Sequence, residues 1–138
     1  MTQKKVLVVE DLQDNREVIK LQLEPGRYQV LEAANGEEAI SILRSDDNIN
    51  DIDAILCDLR MPKMNGFDFI NHLRQEAPQI PVAVVTGYPV AEMRDDLIMM
   101  GVKEYLVKPV AKNKLLDVVS KLVSMRQEIN FCPFPMAS

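Results

Sequence analysis

The chain has no tryptophan, one histidine, two cysteines and five glycines in 138 residues, and it lacks any long apolar run. Met1-Thr2-Gln3-Lys4-Lys5 is followed by only four apolar residues, Val6 to Val9, before Glu10. Neither a secretory leader nor a transmembrane span fits that opening, so a cytoplasmic location is expected. Basic charge is also scarce: 16 Lys and Arg stand against 21 Asp and Glu, a formal net charge of −5. That balance speaks against direct binding of nucleic acid, which needs a concentrated cationic face, and against an acidic membrane surface. Cys57 sits inside an apolar run and Cys132 in a Pro-rich tail, with no CxxC or Cys/His spacing for a metal. A disulfide would be out of keeping with a chain that carries no export signal.

The remaining composition, 47% hydrophobic and 27% charged, is that of a globular protein, and the length suits one domain. Apolar runs of strand length occur at 5–9, 28–31, 54–57, 81–85 and 104–107. Helical spacing fills the intervals. The first helix is expected over 14–24, with Asp14 as N-cap, Val18, Ile19, Leu21 and Leu23 at i,i+3/i+4 spacing, and a stop at Pro25-Gly26. The second opens at Asn35-Gly36 and the third near Gly66, the fourth covers 91–100, and the fifth covers 112–126 with Leu115, Val119 and Leu122 on one face. Five alternations of strand and helix imply an α/β fold with a doubly wound parallel sheet and five helices. The domain is expected over 1–127, leaving 128–138 as a Pro-rich apolar tail or the start of a linker.

The chemistry lies in the polar residues that end the apolar runs. The first strand ends in Glu10-Asp11, the third in Asp58, the fourth in Thr86-Gly87 and the fifth in Lys108-Pro109. Parallel strands all point one way, so these residues collect along the carboxyl edge of the sheet, where such folds bind ligands. Three carboxylates crowded together repel unless a cation neutralises them or one carboxyl is protonated, and a divalent metal is the natural answer. Oxygen-only ligands with room left for water favour Mg²⁺. Lys108, at the solvent edge, would offer a point charge to a transferring phosphoryl group, and Thr86 a hydroxyl. Gly87 would let its backbone N–H approach closely. Asp58, alone at the end of a central strand, is the best nucleophile.

At these residues the chain resembles the receiver domains of two-component response regulators, the family of the bacterial chemotaxis regulator. The match extends to Met61-Pro62-Lys63-Met64-Asn65-Gly66 after Asp58 and to Ala34-Asn35-Gly36-Glu37-Glu38-Ala39 at the second helix. The resemblance implies a flavodoxin-like receiver fold with sheet order 2-1-3-4-5. It implies Mg²⁺ held by Asp11, Asp58 and the Arg60 carbonyl, with Glu10 acting through water, and a phosphoryl group on Asp58 bound by Thr86, Lys108 and the backbone of Leu59 and Gly87. It further implies a cis peptide between Lys108 and Pro109, transfer from a histidine kinase or a histidine phosphotransfer protein, and a switch in which Thr86 moves inward and Tyr105 rotates behind it. A downstream protein would read the face of the fourth helix, fifth strand and fifth helix.

The acidic pair departs from the family, being Glu-Asp rather than Asp-Asp, which leaves open a receiver-like module that binds partners without phosphorylation. Arg60 and Tyr88 are bulky side chains two residues past key positions, able to shield a phosphoryl group from water. A phosphatase with an aspartate nucleophile would need a second carboxylate where Arg60 stands, and Glu10-Asp11 would repel the phosphate of a flavin. His72 lies in a polar stretch, as expected of an ordinary surface residue rather than a phosphohistidine relay. Among Met93, Ile98, Met99 and Met100, helical spacing sends some into the core and leaves Ile98 and Met99 as candidates for partner binding.

Overall fold

The structure is a computed structural model, and it describes residues 3–46, 48–60, 64–87, 89 and 91–130. Met61-Pro62-Lys63, Tyr88 and the tail from Phe131, with Cys132, lie outside the described residues. The elements run β1 (Lys5–Val9), α1 (Gln13–Leu23), β2 (Gln29–Ala33), α2 (Gly36–Arg44), α3 (Asn48–Asp51), β3 (Ile52–Cys57), α4 (Gly66–Glu76), β4 (Val82–Thr86), α5 (Ala91–Met99), β5 (Glu104–Val107) and α6 (Lys112–Asn130). All strand pairs are parallel, in the order β2-β1-β3-β4-β5. The chain leaves β1 toward one side and β3 returns on the other, so a crevice opens above the carboxyl ends of β1 and β3.

Alternation along the strands feeds two cores. Leu7, Val9, Ile55, Cys57, Val82 and Val84 face α2, α4 and α5, whose Leu43, Phe69 and Leu97 are buried against them. Val6, Val8, Ala54, Leu56, Ala83 and Val85 face α1 and α6, where Ile19, Leu23, Leu115, Val119 and Leu122 pack. Burial on both sides explains why the strands read as unbroken apolar runs. No helix among the described residues is long and apolar enough to cross a membrane.

The helices differ from the sequence expectation in four places. Among the described residues there are six, because Asn48–Asp51 forms one short turn, too brief for any periodicity; the Arg126 guanidinium holds it by donating to the carbonyls of Ile49 (3.2 Å) and Asn50 (3.1 Å). Asp14 is not the N-cap of α1: Leu12 occupies that position without a side-chain cap, and Asp14 lies in the first turn, where a carboxylate still favours the helix dipole. Val18 and Leu21 share the spacing of Ile19 and Leu23 but are 52% and 61% exposed, since only one of the two stripes can face the sheet. At α2 and α4 the N-caps are Asn35 and Asn65, which accept from the N–H of Glu38 and Asp68. Helix α6 extends to Asn130, past the helix end expected at 126.

Candidate functional site

Backbone ladders carry the polar residues to one edge. The N–H of Glu10 donates to the Ala33 carbonyl and that of Asp58 to the Val9 carbonyl, each at 3.0 Å, so both residues stand one step past their strands. Thr86 closes β4, and the N–H of Lys108 donates to its carbonyl at 2.8 Å. Behind Asp58 the chain turns sharply back: the Gly66 N–H donates to the Leu59 carbonyl at 3.1 Å. A Cβ at Gly66 would lie 2.4 Å from the Asp58 carbonyl oxygen and 2.8 Å from Leu59 Cα, so only glycine fits there.

The side chains converge on Lys108. Its Nζ donates to Asp58 Oδ2 at 3.0 Å and to Glu10 Oε1, and it is mostly buried rather than at the solvent edge, with 24% of the side chain exposed. Glu10 is nearly inaccessible and also accepts from Asn15 Nδ2 at 3.1 Å. The Arg60 N–H donates to Asp58 Oδ1 at 3.2 Å. Burial works against the charge of Glu10, but its contact with the Lys108 ammonium wins and holds its carboxyl below the usual range. Asp58 goes the other way: burial pushes its carboxyl up, and the nearby Glu10 charge adds to the rise. Asp11 is likewise raised, by burial and then by Glu10 beside it. Lys108 is raised because its two carboxylate partners outweigh its desolvation.

One carboxylate oxygen from each of Glu10, Asp11 and Asp58 falls within a cluster no wider than 4.8 Å. Three acidic groups against one ammonium leave a surplus of negative charge, and the donors are all hard oxygens; this set fits Mg²⁺ and suits no soft metal. Thr86 is buried at the same edge. Among the described residues other than its chain neighbours, the atom nearest an added Cβ at Gly87 is Lys108 Cδ, at 4.0 Å. Leu59 is buried, the Arg60 side chain is exposed, and the Lys108–Pro109 peptide is cis. Tyr105, opposite Val84 on β4, lies two residues back from the edge and packs half-buried on the core.

Ile98 and Met99 are exposed, whereas Met93 and Met100 pack on the core around buried Leu97. His72 lies in a surface cluster, its Nε2 2.5 Å from Glu76 Oε2, with Arg44 Nη2 bonded to the other Glu76 oxygen at 2.6 Å. Two residues of the site are not evident from the sequence: Asn15, which orients Glu10, and Arg16, whose Nη1 donates to the Glu10 carbonyl at 2.7 Å. Their place on the first turns of α1 is the one signal that could have found them.

Fold and site together define a doubly wound α/β domain with a carboxylate cluster at its switch point. Residues 6–120 match the response regulator receiver domain, and the chain belongs to that family. The response regulator protein PilR of Pseudomonas aeruginosa is 29% identical over 91% of this chain, and the sensor histidine kinase CheAY of Helicobacter pylori 33% identical over 87%. The chain spans only 27% of the length of the first and 15% of the second. The crystal structure of a response regulator receiver protein from Pseudomonas putida superposes with a TM-score of 0.80 at 34% identity, covering 88% of this chain and 98% of that one. Receivers as a family are phosphoacceptor switches of two-component systems, linked to histidine kinases and downstream effectors.

Proposed function

We propose that this domain accepts a phosphoryl group on Asp58 from a histidine kinase or histidine phosphotransfer protein and passes the signal on by a change of shape. The observation that carries this reading is the contact of the Asp58 carboxylate with Lys108 Nζ at 3.0 Å, inside a cluster of three carboxylates at the end of β3. An Asp58 oxygen attacks the phosphorus of a phosphohistidine; the O–P bond forms from its lone pair, the P–N bond breaks, and the imidazole keeps that electron pair and takes up a proton. Lys108 offers its ammonium to the transferred oxygens, aided by the Thr86 hydroxyl and the backbone N–H groups of Leu59 and Gly87. Glu10, Asp11, Asp58 and the Arg60 carbonyl would hold Mg²⁺, which when bound offsets the charge that builds on those oxygens.

The phosphoryl group adds about two negative charges and strong acceptors. Thr86 is drawn toward them, and Tyr105 moves into the space behind. The face built from α5, β5 and α6, with exposed Ile98, Met99 and Val107, then presents two states to a downstream protein. The test is incubation with acetyl phosphate and Mg²⁺ followed by intact-mass measurement. Wild type should gain one phosphoryl mass and Asp58→Asn none. Labelling of the mutant would reject Asp58; a wild type that never labels yet binds a partner would make the domain an interaction module instead.

A further inference from the structure

Glu10 and Asp11 stand in a loop of three residues between β1 and α1, and a loop so placed needs something to fix its peptide planes. Arg16 supplies it. Nη1 of Arg16 donates to the Glu10 carbonyl at 2.7 Å and to the Asp11 carbonyl at 3.4 Å. Those carbonyls belong to the peptide planes on either side of the Asp11 Cα. Pinning both planes fixes the backbone dihedrals of Asp11, and with them the direction in which its carboxylate leaves the chain.

The guanidinium is itself anchored. Its Nε donates to Glu32 Oε1 at 3.3 Å, while Lys20 Nζ holds the other oxygen of Glu32 at 3.1 Å. Glu32 lies on β2 opposite Val8 of β1, so the brace ties the acidic loop to the neighbouring strand. With 15% of its side chain exposed, Arg16 is held in a largely desolvated setting where charge-assisted bonds to main-chain carbonyls are strong. Within the loop it binds these backbone carbonyls and leaves the carboxylate oxygens to other partners. Lys108, by contrast, occupies carboxylate oxygens of Glu10 and Asp58 that a metal would also claim.

We propose that Arg16 is a positioning residue of the acidic pair: by pinning the peptides that flank Asp11 and bracing them on Glu32, it aims the Asp11 carboxylate into the cluster that binds the divalent cation. This rests on the reading of the carboxylate cluster as a Mg²⁺ site. Two roles for Arg16 predict opposite signs. A cation that merely sits nearby repels Mg²⁺, so its removal would tighten binding; a brace, once removed, loosens it.

The experiment is calorimetric titration of Mg²⁺ into wild type, Arg16→Ala and Arg16→Lys at fixed ionic strength, with urea unfolding of each in chelator. Arg16→Ala should bind Mg²⁺ roughly 10-fold more weakly, the usual scale for losing an outer partner of a metal ligand. Arg16→Lys should recover part of that loss, because an ammonium can reach the carbonyls or Glu32 but cannot fork between them. Mg²⁺ affinity equal to or tighter than wild type in Arg16→Ala would overturn the proposal, even if the metal-free protein were less stable, since that pattern marks a purely structural residue. Should Arg16→Ala fail to fold, Arg16→Gln makes the same comparison. A wild type that binds no Mg²⁺ would overturn the metal reading and this proposal together, whereas Mg²⁺ binding that Arg16→Ala leaves unchanged would overturn this proposal alone.

Discussion

The ammonium of Lys108 bridges two carboxylates of opposite tendency: Glu10, held below its ordinary range, and Asp58, held above it. Glu10 is almost wholly buried, so Lys108 is a structural counter-charge besides the phosphoryl-binding role proposed for it. Lys108→Ala should therefore destabilise the metal-free domain by about 1–3 kcal/mol, the cost of a buried polar group that loses its partner. Mg²⁺ should return part of that loss by taking over the neutralisation. Urea unfolding with and without Mg²⁺ measures both effects; equal stability of mutant and wild type in chelator would refute the counter-charge role.

Asp11 gives the pH prediction. Its folded carboxyl titrates above the ordinary 3.8, so between those two values the folded state binds more protons than the unfolded. The contribution of Asp11 to stability is full below the unfolded value and is lost as pH rises through the folded one. At neutral pH the charged Asp11 thus works against the metal-free fold. Asp11→Asn should raise the melting temperature in chelator by roughly 2–4 °C, and the gain should vanish in acid. Added Mg²⁺ should stabilise wild type and leave Asp11→Asn nearly unchanged. A melting temperature for Asp11→Asn below wild type in chelator at pH 7 would contradict the repulsion.

At Gly66 the prediction is steric. An added methyl would collide with the backbone of Asp58 and Leu59, at 2.4 and 2.8 Å, and neither can yield as a flexible side chain would. Gly66→Ala should cost about 1–3 kcal/mol, as overpacking does, and should slow labelling of Asp58 by moving the nucleophile. Labelling at the wild-type rate, with unaltered stability, would show that the turn has room.

Much of the fold and the site is legible in the residues because the cues are local. Val6 and Val8 alternate with Leu7 and Val9 in a run buried on both faces, Asn35-Gly36 and Gly66 open their helices where expected, and polar residues end the apolar runs where a parallel sheet gathers them. The rest is set by neighbours distant in sequence. Whether Ile19 and Leu23 or Val18 and Leu21 face inward depends on where the sheet lies, since both pairs have helical spacing. The burial of Lys108 comes from Glu10 across 98 positions, and the role of Arg16 from Glu32 on β2. Helix α3 has only four residues, fewer than a periodic pattern needs.

The last prediction concerns the switch. Thr86 ends β4 beside Lys108, and Tyr105 packs half-buried on β5, where its partner Val84 lies two residues before Thr86. If, as proposed, a phosphoryl group on Asp58 draws the Thr86 side chain inward, the packing along this register should change, and Tyr105 is a large side chain placed to respond. Beryllofluoride, a phosphoryl mimic, should therefore shift the ring resonances of Tyr105 in NMR spectra of wild type. Thr86→Ala removes the hydroxyl that would make the contact while leaving Asp58 and Lys108 in place. It should still accept a phosphoryl group from acetyl phosphate, yet the Tyr105 shift should fall by more than half. Coupling between sites is typically about 1–3 kcal/mol, so a downstream protein should discriminate the two states roughly 5- to 150-fold in wild type and less in Thr86→Ala. Tyr105 shifts of equal size in the two proteins would refute the link between Thr86 and Tyr105; loss of phosphorylation in step with loss of the shift would instead make Thr86 part of the phosphoryl site alone.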